Sequence, residues 1–163
     1  MSVEIDQPAP EFSAPATDNQ TLSLSDFAGR TLVLYFYPRD NTPGCTQEGE
    51  AFRDLYQAFQ AEGAEIVGVS RDSVRKHENF RAKYHFPFPL ISDADETICQ
   101  RFGVLKEKKL YGRSHVGIER STFLIDANGV VRQIWRGVKV TEHADSVLAA
   151  LRQLNRDHNT KHA

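Results

Sequence analysis

Three observations predict an α/β fold with a mixed central sheet. Two apolar runs rich in β-formers, TLVLYFY (31–37) and AEIVGVS (64–70), read as strands covered on both faces. The segment between them has helical periodicity, and a right-handed crossover through it would set the two strands side by side and parallel. STFLID, ANG and VVRQIW then read as a β-hairpin turning on Asn128-Gly129, which adds antiparallel strands.

In chain order, PAPEFSAPATDNQ reads as an extended, proline-limited arm leading to the Leu22/Leu24 alternation. Ser25-Asp26 can cap a short turn before Gly29. After the first strand, from Thr46 to about Ala61, Phe52, Leu55, Tyr56 and Phe59 recur at i, i+3, i+4 and i+7. They form the apolar stripe of one amphipathic helix, which Gly63 would end. The second strand is followed by Arg71-Asp72-Ser73, the start of a charged helix reaching about Tyr84. FPFPLISD gives a third short strand, DETICQRFG a short helix closed by Gly103, and HADSVLAALRQL a final amphipathic helix. The order is β–α–β–α–β–α–β–β–α. No repeat or linker divides it, so residues 1–163 are expected to form a single domain with residues 155–163 as a frayed tail.

Composition narrows the function classes. With 40% apolar and 26% charged residues and a net charge of −2, the chain lacks a nucleic-acid footprint. Its longest apolar run, Leu32–Tyr37, is far too short to cross a bilayer, and no membrane partner is expected. The N-terminus lacks the basic-then-apolar layout of a signal peptide. Two cysteines far apart in sequence make no disulfide framework, and no Cys/His spacing matches a metal site. A reducing cytoplasm is the expected location, with no metal and no organic cofactor.

One of those cysteines, Cys45, falls in the first turn of the predicted helix, within YFYPRDNTPGCTQE (35–48). Ligands of α/β sheets bind at such strand-to-helix turns. A helix N-terminus favours an anion, and the reactive form of a thiol is the thiolate. Pro43 can begin a helix without wasting an N–H, Gly44 permits close approach to the backbone, and Thr42 offers a hydroxyl. Glu48 lies one turn on, on the same face. Acidity alone does not make an enzyme: a thiol of pKa about 8.5 is already ~3% thiolate, so full ionisation gains roughly 30-fold. The remainder calls for a fixed cation, and Arg120, preceding the apolar strand in ERSTFLID, is the candidate. Each residue has a plainer role open to it. Cys45 could be buried filler, Pro38 a strand terminator, Thr42 a turn stabiliser and Arg120 a surface charge.

Taken together, Pro38, Thr42 and Cys45 reproduce a Pro-x-x-x-Thr-x-x-Cys signature, with Glu48 after it and GIERSTFLID carrying a distant arginine. In this the chain resembles the peroxiredoxins. SLSDFAGRTLVLYFYPRDNTPGCTQE, IVGVSRDS and FPLISD resemble the bacterioferritin comigratory (PrxQ-type) branch, over about Ile5 to Leu154. The resemblance implies a thioredoxin-like fold and a thiol peroxidase acting on hydrogen peroxide and organic hydroperoxides. Cys45 would become a sulfenic acid, Thr42 and Arg120 would hold the peroxide oxygens, Pro38 would shield the site and Glu48 would orient the arginine. It also implies an acting monomer and a thiol reductant: thioredoxin, glutaredoxin or glutathione.

The sequence departs from that branch at the cysteine that would reduce the sulfenic acid. Relatives place it five positions on, here Glu50, or roughly 35 residues on, here Asn79–Lys83, which holds none. Cys99, beside Ile98 and three residues before Phe102, is the remaining internal candidate and has the pattern of an inward-facing core residue. The expectation is a one-cysteine cycle with an external thiol, and the alternative is a disulfide to Cys99. Two further rivals are a Cys/His hydrolase, which needs a histidine beside Cys45, and a thioredoxin-like binding or chaperone module without turnover. A dithiol oxidoreductase is excluded by the lack of Cys-x-x-Cys. His115, in the segment leading to Arg120, could line the site, and Trp135 follows the apolar alternation of its hairpin.

Overall fold

The computed structural model describes residues 3–162. The run at Thr31–Phe36 is a strand, here β3 because two shorter ones precede it, and all six of its residues are buried. Pleating sends Leu32, Leu34 and Phe36 into one core cluster, and Val33, Tyr35 and the following Tyr37 into a second on the opposite face. β4 (Ala64–Ser70) lies parallel to β3, from Thr31↔Ala64 to Phe36↔Val69. β5 (Leu90–Ser92) continues the parallel set beside β4. On the other side of β3 the predicted hairpin, β8 (Ser121–Ile125) and β9 (Val131–Arg136), adds antiparallel. The sheet is therefore mixed and ordered β2-β1-β5-β4-β3-β8-β9, with the first two predicted strands at its centre.

Two hairpins were not evident in sequence. β1 (Ser13–Ala16) and β2 (Gln20–Ser23) form one within the proline-limited arm, turning on Asp18 and Asn19 at φ 62° and 56°. The last pair, Ala16↔Gln20, leaves a three-residue loop, and Asp and Asn tolerate its left-handed positions best after glycine, so the Asp-Asn pair was the available signal. β6 (Leu105–Leu110) and β7 (Arg113–Ile118) form a separate two-stranded ribbon. Its polar sequence lacks the apolar alternation by which half-buried strands are read.

The predicted helix over 46–61 is two helices, α1 (Pro43–Asp54) and α2 (Tyr56–Ala61), interrupted at Leu55. Phe52, Leu55, Tyr56 and Phe59 all pack into the second cluster, so the apolar stripe runs through the break and does not betray it. α3 spans Val74–Tyr84 and α4 Thr97–Arg101. α5 (His143–His162) continues past Leu154, through the segment expected to fray. Asn155 anchors it there, its amide donating to the Glu62 carbonyl at 2.9 Å and to Glu62 Oε1 at 3.0 Å. Phe52, Phe59, Phe80, Val147 and Leu151 cover one face of the sheet from α1, α2, α3 and α5, while Ile98 and Cys99 of α4 pack on the other. Trp135 is half-buried against the edge of the second cluster. Among the described residues no helix is long and apolar enough to cross a membrane.

Candidate active site

The segment between β3 and α1 is held from below by a buried polar network. Tyr37 donates its hydroxyl to Asp40 Oδ1 at 2.6 Å, and Asp40 Oδ2 meets His77 Nδ1 of α3 at 2.6 Å. The other ring nitrogen of His77, Nε2, faces the Ile91 carbonyl at 2.9 Å and so carries a hydrogen. The Asp40 N–H donates to Asp72 Oδ2 at 2.9 Å. The six-residue segment Tyr37–Thr42 is thus tied to β3, α3 and β5 before the helix begins. None of Tyr37, Asp40 or His77 was singled out in sequence, because nothing in the spacing of Asp40 and His77 pairs them.

On that platform Thr42 is the N-cap of α1 in extended conformation, Pro43 its first residue and Cys45 its third. Cys45 is 1% exposed and lies in the first turn, where backbone N–H groups have no intrahelical partner. Thr42 Oγ1 donates to the Arg39 carbonyl at 2.9 Å, so its proton is committed and its lone pairs are what it can offer a ligand. Pro38, half-buried, follows Tyr37, whose N–H makes a further β3–β4 rung to Val69 O at 3.0 Å.

Arg120 reaches this turn from the start of β8. Its Nη2 lies 3.5 Å from Cys45 Sγ and its Nη1 donates to Glu48 Oε1 at 2.7 Å. One guanidinium fork therefore spans the sulfur and the carboxylate one turn below it. The backbone leaves room for this: a Cβ at Gly44 would sit 3.2 Å from Arg120 Nη2. The close approach that Gly44 was expected to grant a ligand is taken up by the arginine.

Electrostatically the pair is tense. Burial pushes Glu48 up to about 7, against the opposing charge and hydrogen bond of Arg120, and its Oε2 is buried without a partner. Arg120 is itself pushed up, burial being outweighed by Glu48 and the Cys45 sulfur. The two shifts conflict, since the second requires Glu48 charged and the first draws it toward neutrality. The 2.7 Å bond to an always-charged guanidinium decides for the ionised pair once the pH exceeds neutrality. Folded Glu48 holds a proton that the unfolded chain releases near pH 4.5, so its contribution to stability is complete below that pH and is lost as pH rises through about 7. Glu48→Gln is expected to abolish this loss, so that between pH 4 and 8 the wild type falls relative to the variant by up to about 3 kcal/mol in urea unfolding. Parallel pH profiles for the two proteins would contradict it.

The structure brings Thr42, Cys45, Glu48 and Arg120 to one turn, with Pro38 at the mouth of β3. It does not bring Cys99 there. Cys99 is fully buried in the cluster on the opposite face of the sheet from Cys45. Its thiol is pushed well up, first by burial and then by Asp93, whose Oδ2 accepts the Cys99 N–H at 2.7 Å. His115 is exposed on β7, opposite Lys108, and does not line the site. The two histidines buried among the described residues are engaged elsewhere, His77 with Asp40 and His143 with Thr122 at 2.8 Å. Burial and the charge of Arg120 push His143 down to about 4, which leaves it neutral near pH 7. A Cys/His hydrolase gains no support from this arrangement.

Solved structures give the geometry its class. The fold is the thioredoxin-like one of the peroxiredoxins, which are thiol peroxidases. The bacterioferritin comigratory protein of Xanthomonas campestris superposes with a TM-score of 0.85 at 51% identity, over 88% of this chain and 92% of that one. A mutant of PrxQ from Xylella fastidiosa superposes with a TM-score of 0.89 at 42% identity, over 94% and 98%. The AhpC/TSA family profile matches residues 5–134, and the chain belongs to that family. Within it, peroxiredoxin Bcp of Xanthomonas campestris is 54% identical over 91% of this chain and 94% of its own length. Peroxiredoxin Bcp of Bacillus subtilis is 44% identical over 95% and 99%.

Proposed function

We propose that this peroxiredoxin reduces hydrogen peroxide and organic hydroperoxides at Cys45 by a one-cysteine cycle that an external thiol completes. The observation that carries the reading is the fork of Arg120 across Cys45 Sγ and Glu48 at the N-terminus of α1. The Cys45 thiolate attacks the terminal peroxide oxygen. The O–O bond breaks, its electron pair leaves on the distal oxygen, and that oxygen is protonated to alcohol or water. Sulfur, oxidised by two electrons, becomes a sulfenic acid. Arg120 donates to the oxygens where negative charge develops, Thr42 accepts the peroxide O–H, and Glu48 fixes the fork. Pro38 excludes water from the mouth. Organic hydroperoxides are included because the Xanthomonas campestris structure is described in terms of alkyl peroxide reduction.

Regeneration then needs two external thiols. The first attacks the sulfenic sulfur and expels water, and the second displaces Cys45 from the mixed disulfide. The burial of Cys99 in the opposite core supports an outside reductant, since a disulfide needs Cα atoms within ~7 Å. Thioredoxin, glutaredoxin and glutathione each meet the chemistry, and the chain acts as a monomer in a reducing cytoplasm.

Treating reduced protein with one equivalent of hydrogen peroxide tests this. A sulfenic-acid trap should label wild type and Cys99→Ser equally and Cys45→Ser not at all. A Cys45–Cys99 disulfide by intact mass would instead make Cys99 the resolver. A Cys45 no faster than a free thiol would favour the binding module.

A further inference from the structure

We propose that the β6–β7 ribbon is the docking surface for an acidic dithiol protein that reduces oxidised Cys45; this rests on the one-cysteine reading above. Between Leu105 and Ile118 the chain carries Lys106, Lys108, Lys109 and Arg113 against the single carboxylate Glu107, in a protein whose net charge is −2. The pairings Lys106↔Gly117, Lys108↔His115 and Leu110↔Arg113 set Lys106, Lys108, Arg113 and His115 on one face of the ribbon. All four are exposed.

Charged strands are also a common protection of exposed sheet edges, and the lysines alone would need no further explanation. The apolar groups are different. Of the three large hydrophobic residues exposed among the described residues, two lie here: Tyr111 at the tip, 94% exposed, and, on the ribbon's other face opposite Glu107, Val116, 49% exposed. A tyrosine and an arginine flanked by lysines on a projecting ribbon make a protein-binding composition.

Its placement links it to the reaction. Arg120 follows the end of β7 by two residues. Lys106 pairs with Glu119 at 3.2 Å, and Arg71, just past the carboxyl end of β4, donates to the Val116 carbonyl at 3.2 Å. The ribbon therefore rises from the end of the sheet where Cys45 lies. A partner with negative charge around its dithiol would be drawn to that end, the one from which the sulfur must be reached.

The test uses Lys108→Glu/Arg113→Glu, both on that face, and, separately, Tyr111→Ala. Each is assayed for Cys45 oxidation by hydrogen peroxide, for turnover with dithiothreitol, and for turnover with a thioredoxin of net negative charge. The expected result is an increase of about tenfold in the KM for thioredoxin, with a flattened salt dependence for the charge variant. Oxidation by hydrogen peroxide and turnover with dithiothreitol should be unchanged. An unaltered thioredoxin KM overturns the proposal. So does an equal loss with dithiothreitol, which would place the effect on Cys45 itself. Slower oxidation by a carboxylate-bearing hydroperoxide with an unaltered thioredoxin KM would assign the surface to substrate steering instead. Failure of wild-type Cys45 to oxidise would strike the parent reading, and is measured independently of docking.

Discussion

Arg120→Ala is expected to slow oxidation of Cys45 by hydrogen peroxide by about 10²–10³-fold, or roughly 3–4 kcal/mol of barrier. Comparison with alkylation separates two explanations. If the arginine served only to ionise the thiol, alkylation by iodoacetamide would fall by the same factor as oxidation. A larger loss in oxidation than in alkylation requires that the fork also stabilise charge on the departing oxygen. Arg120→Lys keeps the charge but cannot reach Cys45 Sγ and Glu48 Oε1 together, as the guanidinium does. It should fall between alanine and wild type. Stopped-flow oxidation, with alkylation by iodoacetamide as a control for thiol reactivity, distinguishes the terms. An alanine variant within threefold of wild type would remove Arg120 from the chemistry.

His77→Ala should be the most costly substitution for stability among the groups described, by about 3–5 kcal/mol. It strands the Asp40 carboxylate in a buried site with only the Tyr37 hydroxyl and leaves the Ile91 carbonyl without its donor. Tyr37→Phe, which deletes one bond and leaves His77 on Asp40, should cost about 1–2 kcal/mol. Urea unfolding measures both. In the fraction that stays folded, the turn before α1 loses an anchor, so oxidation of Cys45 should slow although His77 lies outside the reacting groups. A loss below 1 kcal/mol for His77→Ala would show that the turn is held by other contacts.

Legibility in sequence followed the physics of each signal. β3, β4 and the β8–β9 hairpin were readable because continuous apolar runs and an Asn-Gly turn are local properties. The helix carrying Cys45 was readable from its stripe, but the break at Leu55 was not, since both halves keep the same face inward. The β6–β7 ribbon escaped because strands that bury little leave no alternation. At the site, Thr42, Cys45 and Glu48 are close in sequence at i, i+3 and i+6 from the start of one helix, and Arg120 was placed by resemblance and by the need for a cation. The Asp40–His77 pair is a tertiary contact across 37 positions, with no trace in either local segment. That Thr42 spends its proton on Arg39 is likewise a matter of three-dimensional geometry.

The placement of the two cysteines on opposite faces of one sheet has a kinetic consequence. On the one-cysteine reading proposed above, no thiol of the same chain competes for the oxidised sulfur, so two bimolecular encounters do: a reductant restoring it, or a second peroxide carrying it to the sulfinic acid, from which ordinary thiols do not recover it. The ratio of these fates depends on concentrations outside the molecule. On that reading the sheet between the two cysteines makes the chain a fuse, whose rating is set by the supply of thiol in its surroundings.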